Sequence, residues 1–474
     1  MPTHILTPMI VACALFMENL DSTVLATSLP AIAHDMGEDP LALKLALTSY
    51  LLSLAVFIPV SGWAADRYGA KNVFRAALAI FMVGSIACGF AVSLPEFVLF
   101  RIVQGMGGAM MVPVGRLVVL RSVSKGDFVA ALSWFTIPAL IGPILGPPIG
   151  GFITSYWHWR WIFFINVPIG LLGIILVTRY IGDIREENTP KLDRLGLAIL
   201  GVGLSGTVFG LAVFGQHLVP LWLASSVLLI GLIFCALYVR HSMRVAHPVL
   251  DLRLLAIPTL RASVIGGSIF RIGMGATPFL LPLLFQEGFG LNPFASGLLT
   301  FASAAGAMTM KFTAQPILKR FGFRRVLIVN GVLSSLFIAA NTLLTPATPH
   351  AAIIGLLLMG GFFRSLEFTS INAIAYADVP PSRMSQATSF VSAAQQVSLS
   401  LGVAVAALVL ETVRSGRNDV VITIADFTPA FLVVALASAA CAVVFATLPR
   451  DAGAVLSGRT VAEANAVQAT PATP

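Results

Sequence analysis

Apolar residues run along this chain in blocks of about twenty, broken by short polar stretches, a length matched to a bilayer. A helix rises 1.5 Å per residue, so roughly 20 apolar residues cross the about 30 Å of hydrocarbon in a bilayer. Fourteen such blocks can be placed, at about 8–30, 44–65, 72–93, 95–118, 127–154, 160–181, 192–214, 218–240, 259–286, 293–318, 323–345, 349–372, 384–413 and 426–448. The pattern predicts an all-α membrane protein of 14 transmembrane helices, with both termini on one side. Composition agrees: 57% of the 474 residues are hydrophobic and 11% are charged, against about 25% charged in an ordinary soluble domain. The first block is expected to stay in the membrane rather than act as a cleaved signal. It lacks a basic leader, is too long, and carries Glu18 and Asp21 in its middle.

A net charge of +8 could point to nucleic acid, so the distribution of that charge decides its meaning. Of the 29 Lys and Arg, 20 fall on the side of the termini and 4 (Lys44, Arg160, Arg414 and Arg417) on the other. The remaining 5, Arg101, Arg116, Arg271, Lys311 and Arg364, lie inside blocks. This is the positive-inside bias, which predicts cytoplasmic termini and a lipid bilayer, not nucleic acid, as the partner. Cys13, Cys88, Cys235 and Cys441 all sit in apolar blocks without ligand spacing and are expected to pack as small hydrophobes. No histidine lies near the middle of a block, and His241 and His247 are wrongly spaced for a helical metal pair. Neither a metal nor a cofactor is expected.

A weak repeat organises the chain. Asp66-Arg67-Tyr68-Gly69-Ala70-Lys71 follows the second block, and Lys319-Arg320-Phe321-Gly322-Phe323-Arg324 follows the tenth, at an offset of 253 residues. An even number of crossings fills that offset, so both turns belong to one side. Two parallel six-helix halves with an inserted helix pair would produce this. The expected divisions are an N-terminal bundle (1–181), a linker with two extra transmembrane helices (182–253), a C-terminal bundle (254–450) and a disordered cytoplasmic tail (451–474). Pro59, Pro113, Pro138, Pro278 and Pro282 punctuate the blocks, as suits helices that bend.

Ionisable residues inside the membrane are the sharpest chemical signal, because each costs about 2.5–3.5 kcal/mol at mid-bilayer. Asp21 lies about nine residues before Pro30, so roughly 13 Å deep, and Arg101 about six residues after Pro95, roughly 9 Å deep. The depths allow a carboxylate and a guanidinium to meet, and a carboxylate that can gain or lose such a partner is suited to carrying a proton. Glu18 shares the face of Asp21 and is a second candidate for coupling or cation recognition. Beside Arg101, Gln104 precedes a Gly105–Gly108 run that would let a neighbouring helix close in. Arg116, about one turn from the boundary, is expected to snorkel. In the second half, Arg364 and Glu367 are three apart and could neutralise one another. Arg271 and Lys311 lack an evident partner and would favour an anionic substrate group if they face a cavity. Asn372, Gln395 and Gln396 read as interhelical hydrogen-bonding groups or as polar cavity lining.

The fifth block holds Gly142, Gly146, Pro147, Gly150 and Gly151, a run that costs a lipid-exposed helix dearly but permits close backbone approach between helices. It resembles the antiporter motif of major facilitator exporters. Three more segments agree in order. LDSTVLATSLP from Leu20 resembles the first-helix motif, GWAADRYGAK from Gly62 the loop after the second helix, and RIVQGMGGA from Arg101 the fourth-helix motif. WRWIFFINVPIG, from Trp159, is also typical. Together they are similar to the fourteen-span drug:proton antiporter family of the major facilitator superfamily, over nearly the whole length to about residue 450.

The resemblance implies an exporter of the bacterial inner membrane, working by alternating access as a monomer and exchanging protons for a small-molecule substrate. Asp21, Glu18 and Arg101 would serve proton coupling, and Gly62, Asp66, Arg67, Gly69 and Lys71 a conformational latch. Lys319 stands where Asp66 stands in the first half, so that latch would be asymmetric. Arg271, Lys311 and Arg364 fit poorly with an exporter of lipophilic cations alone. Amphipathic drugs or organic compounds are therefore the expected substrates, with a dedicated exporter of an organic acid or metal chelate as the alternative. A membrane enzyme or sensor would need a catalytic constellation at one depth, and none is legible.

Overall fold

The computed structural model describes residues 3–122, 128–182, 191–213, 220–380, 383–417 and 422–457, and the side chains of 3–5, 120–140, 455 and 457 are not described. Lys125, Arg185 and Arg459, the side chain of Pro138 and the tail from 458 therefore lie outside the described residues.

The chain is built from long helices. The first group comprises α1 (Thr3–Met36), α2 (Lys44–Tyr68), α3 (Ala70–Phe90), α4 (Leu94–Ser122), α5 (Phe128–Tyr156) and α6 (Trp161–Tyr180). A pair follows, α7 (Arg194–Val213) and α8 (Leu221–Ser242). The last group is α9 (Pro258–Leu283), α10 (Pro293–Phe321), α11 (Phe323–Ala340), α12 (His350–Ile374), α13 (Met384–Gly416) and α14 (Ile424–Ala446). Among the described residues, 12 helices are long and apolar enough to cross a membrane; α5 and α10 are not among them.

Each group packs mainly within itself, and the packing repeats: α1 lies along α5 and α2 along α4, as α9 lies along α13 and α10 along α12. Two main contacts join the groups, α2 against α13 and α5 against α10, with smaller ones from α1 to α9 and α10. The inserted pair forms a tight hairpin that leans on α2 and α13. It can close because small residues face each other: a side chain on Gly206 would lie 2.8 Å from the Gly231 backbone, and one on Gly203 would lie 2.9 Å from that of Cys235. His241 at the end of α8 meets the Asp193 carboxylate at 2.9 Å and fastens the base of the hairpin.

Gly69 and Gly322 mark one face of the molecule, here called the basic face. Both hold positive φ, 88° and 76°, in sharp turns between consecutive helices. The bonds between the two groups cluster at the opposite face. There the Phe294 amide donates to Ser155 Oγ at 3.0 Å, Gln286 Nε2 donates to the Thr27 carbonyl at 2.8 Å, and Arg414 pairs with Asp39. Gln286 lies in a π-helical turn, Leu284–Gly288, that ends α9. Beyond α14, residues 451–457 are folded rather than free: a side chain on Gly453 would meet Ile374 and Phe323.

Candidate functional site

Four helices of the first group converge on Asp21. The carboxylate accepts from Arg101 Nη1 at 2.7 Å on one oxygen, and from Gln104 Nε2 and Asn166 Nδ2, each at 2.9 Å, on the other. Arg101 Nη1 also donates to Gln104 Oε1 at 2.6 Å, and Asn166 Nδ2 to Ser85 Oγ at 3.0 Å. The guanidinium lies over the Tyr50 ring, 4.2 Å from its centroid. Asp21, Arg101, Gln104 and Asn166 are all at most 3% exposed. A buried charge pair of this kind is tolerable only because hydrogen bonds satisfy the remaining lone pairs. Nη2 of Arg101, Oδ1 of Asn166 and the Tyr50 hydroxyl stay without a bond among the described residues.

The pairing of Asp21 with Arg101 follows the depth argument, and Gln104 joins it from the next turn of α4. Asn166, Ser85 and Tyr50 are the parts that sequence reasoning passes over. Asn166 was within reach: it is the one amide in WRWIFFINVPIG, a segment whose aromatic residues draw attention away from it.

The glycine run of α5 explains how α1 is held so that Asp21 faces inward. Side chains on Gly142 and Gly150 would stand 3.1 Å from the Phe16 carbonyl and 2.7 Å from the Val24 carbonyl. One on Gly146 would overlap Thr23, and one on Gly151 would overlap Pro293 of the other group. Pro147 in turn meets Gly297. The two helices therefore touch backbone to backbone, which is what small residues permit inside a membrane.

Two cavities lie between the groups, on either side of Phe368, which lines both. The one toward the basic face, about 380 Å³, is mixed in character, and its polar lining comes from Glu18, Asn19, Arg116, Asn372, Gln395 and Gln396. Glu18 Oε2 is buried there without a hydrogen-bond partner among the described residues. Arg116 faces this cavity as well as lying near the boundary. The second cavity, about 330 Å³, is mostly apolar and includes Pro143, Pro147, Met274, Pro278, Phe368 and Arg364 in its walls.

The remaining candidates separate. Arg364 donates to Ser303 Oγ, whereas Glu367 accepts from Asn330 Nδ2 at 2.9 Å, so these neighbours turn to different helices. Arg271 is fully buried, donates to Asn372 Oδ1 at 2.9 Å and packs toward the Phe368 ring, behind the cavity walls. Lys311 is exposed and donates to Thr369 Oγ1 at 2.8 Å. Neither Arg271 nor Lys311 is among the residues that line the two cavities. In the basic-face turn, Asp66 is half-buried, Arg67 is exposed, Gly62 faces open space and Lys71 Nζ donates to the Thr178 carbonyl at 2.8 Å.

The profile of the Major Facilitator Superfamily matches residues 11–260 and 263–470. The chain belongs to that superfamily. It is 36% identical over 464 residues, 95% of this chain and 96% of the relative, to the "Putative multidrug resistance protein MdtD" of Citrobacter koseri. Among solved structures it is similar to an auto-inhibited POT family peptide transporter, with a TM-score of 0.69 at 17% identity, over 93% of this chain and 96% of that one. A D-xylose–proton symporter gives 0.66 at 14% identity, over 94% and 98%. At such identities the structural likeness carries the fold alone. The family makes the chain a multi-pass membrane transporter rather than an enzyme.

Proposed function

We propose that this protein is a proton-coupled antiporter that exports amphipathic drugs or other organic compounds by alternating access. The observation that carries the reading is Asp21, a carboxylate buried in α1 and held by Arg101, Gln104 and Asn166. Protonation of Asp21 would release Arg101 and loosen α1 from α4 and α6. Because α1 lies backbone to backbone on α5, and α5 meets α10 across the interface, that loosening has a mechanical route to the closed face. One proton moved through about 100 mV supplies about 2.3 kcal/mol. The turn at Gly62, Asp66, Arg67, Gly69 and Lys71 acts in this scheme as the latch of the basic face. Closure of the opposite face supports a state open toward the cytoplasm.

The same reading takes α5 and α10, each 29 residues long, as crossings, which gives fourteen. It places both termini in the cytoplasm of a bacterium, in the inner membrane, with the divisions at 181, 253 and 450. The working unit is a monomer, since both cavities lie within one chain. Export of one endogenous organic acid or metal chelate is the second reading, favoured by the excess of buried arginine.

The test is transport in inside-out vesicles with an imposed proton gradient. Asp21→Asn should abolish gradient-driven uptake while expression and folding hold. Full gradient-driven uptake by that variant would remove Asp21 from the mechanism.

A further inference from the structure

We propose that the cavity on the far side of Phe368 binds the anionic head of an amphipathic substrate, a carboxylate or sulfonate, on Arg364. The proposal rests on the exporter reading above and names its substrate class. Among the described residues that line this cavity, Arg364 is the only charged one. It is partly open to the space, and the bond that fixes it goes to the neutral Ser303 hydroxyl. The carboxylate that could have neutralised it, Glu367, faces α11 and Asn330 instead.

The other polar groups in the walls offer no competing charge. The hydroxyls of Thr23, Thr27, Thr277 and Thr300 all donate back to carbonyls of their own helices. The cavity therefore presents one cationic fork in a wall of proline, alanine, methionine and phenylalanine. A planar guanidinium in such surroundings matches a carboxylate or sulfonate geometrically, and an apolar body behind the head fills the rest. An organic cation there would meet Arg364 with nothing to offset the repulsion. Both groups of helices line the space, Thr23, Thr27 and Pro147 from the first and the arginine from the second, so rocking would change its shape. The charge selection expected of Arg271 and Lys311 thus falls to Arg364.

The experiment is equilibrium binding of radiolabelled 2-naphthoate to the full chain in proteoliposomes, without a gradient. Uncharged 2-naphthamide and cationic tetraphenylphosphonium serve as comparison probes. Arg364→Gln should weaken 2-naphthoate binding by about tenfold or more, and Arg364→Lys by less, because the charge stays while the fork is lost. Binding of 2-naphthamide should be alike in all three proteins, which also reports that the variants fold. Equal 2-naphthoate binding by Arg364→Gln and the parent would overturn the proposal. So would displacement of bound 2-naphthoate by tetraphenylphosphonium, since a cation should not compete for a site built on Arg364. Since no gradient is used, these outcomes leave the Asp21 coupling experiment untouched, and loss of coupling would leave this site standing.

Discussion

Lys71 and Arg324 stand 253 residues apart in sequence and in the same relation to their own halves. Lys71 Nζ donates to the Thr178 carbonyl in the last turn of α6, at 2.8 Å, and Arg324 Nη2 donates to the Ala446 carbonyl at the end of α14, at 2.9 Å. The last carbonyls of a helix have no intrahelical partner, and a cation is favoured there. Each basic-face turn thus ties the second and third helices of its group to the sixth, as a bundle that moves as one body requires.

Those turns depend on glycine. Gly69 and Gly322 hold φ of 88° and 76°, which a side chain resists. Gly69→Ala and Gly322→Ala should each cost about 1–2 kcal/mol, read as a lower Tm of the purified protein. Gly355→Ala on α12, where the added carbon meets open space, is the control and should be neutral or slightly stabilising. Equal Tm for all three would show that the turns tolerate side chains.

The Asp21 network makes a second prediction. Asn166→Ala removes the donor shared between Asp21 and Ser85 and leaves a lone pair of Asp21 unsatisfied in a buried site. The cost should be about 1–3 kcal/mol of stability. If Asp21 carries the proton, the variant should also shift the pH at which export is half-maximal, which a change in packing alone would not do. An unchanged Tm and an unchanged pH profile would remove Asn166 from the site.

What the sequence made legible is set by what one-dimensional patterns can encode. Depth along a helix comes from counting residues, so the meeting of Asp21 and Arg101 was readable. Small residues at a four-residue spacing mark a close-packed face, so the α5 stripe was readable too, though its partners were not. Azimuth is what counting cannot supply. Arg364 and Glu367 share a spacing that usually joins side chains, yet α12 sits between α10 and α11 and each residue turns to a different one. For the same reason Arg271 lies behind the cavity wall that Asn372 and Phe368 form. The inward turn of Arg364 depends on how two bundles face each other, which no local pattern records.

Gly151 sits where the groups meet at the closed face. A side chain there would stand 2.8 Å from Phe294 Cα and would overlap the Pro293 carbonyl. Gly151→Val should therefore part α5 from α10 and break the bond from the Phe294 amide to Ser155. Hydrogen exchange at the start of α10 should rise while exchange at the Gly69 turn stays unchanged. Slower or equal exchange at α10 would mean that the contact accommodates the side chain.

Asp251 supplies the pH dependence. It lies between α8 and α9, outside the spans, with Arg253 Nε at 2.7 Å and Arg383 Nη2 at 2.6 Å. Burial pushes its pKa up, but the hydrogen bonds from Arg253 and the charges of Arg253 and Arg383 outweigh burial and hold it below the ordinary carboxylate value. A depressed folded-state pKa gives stability that is full above the unfolded value of about 4 and is lost as pH falls through the folded value. The bond from Arg383 joins the segment after the inserted pair to the start of α13. Arg383→Gln should lower stability at neutral pH by no more than about 1 kcal/mol, since both arginines are over a third exposed. The difference in Tm between variant and parent should be constant from pH 7 to pH 5 and should shrink toward zero below about pH 3. A difference that persists undiminished in acid would show that Arg383 contributes packing rather than charge.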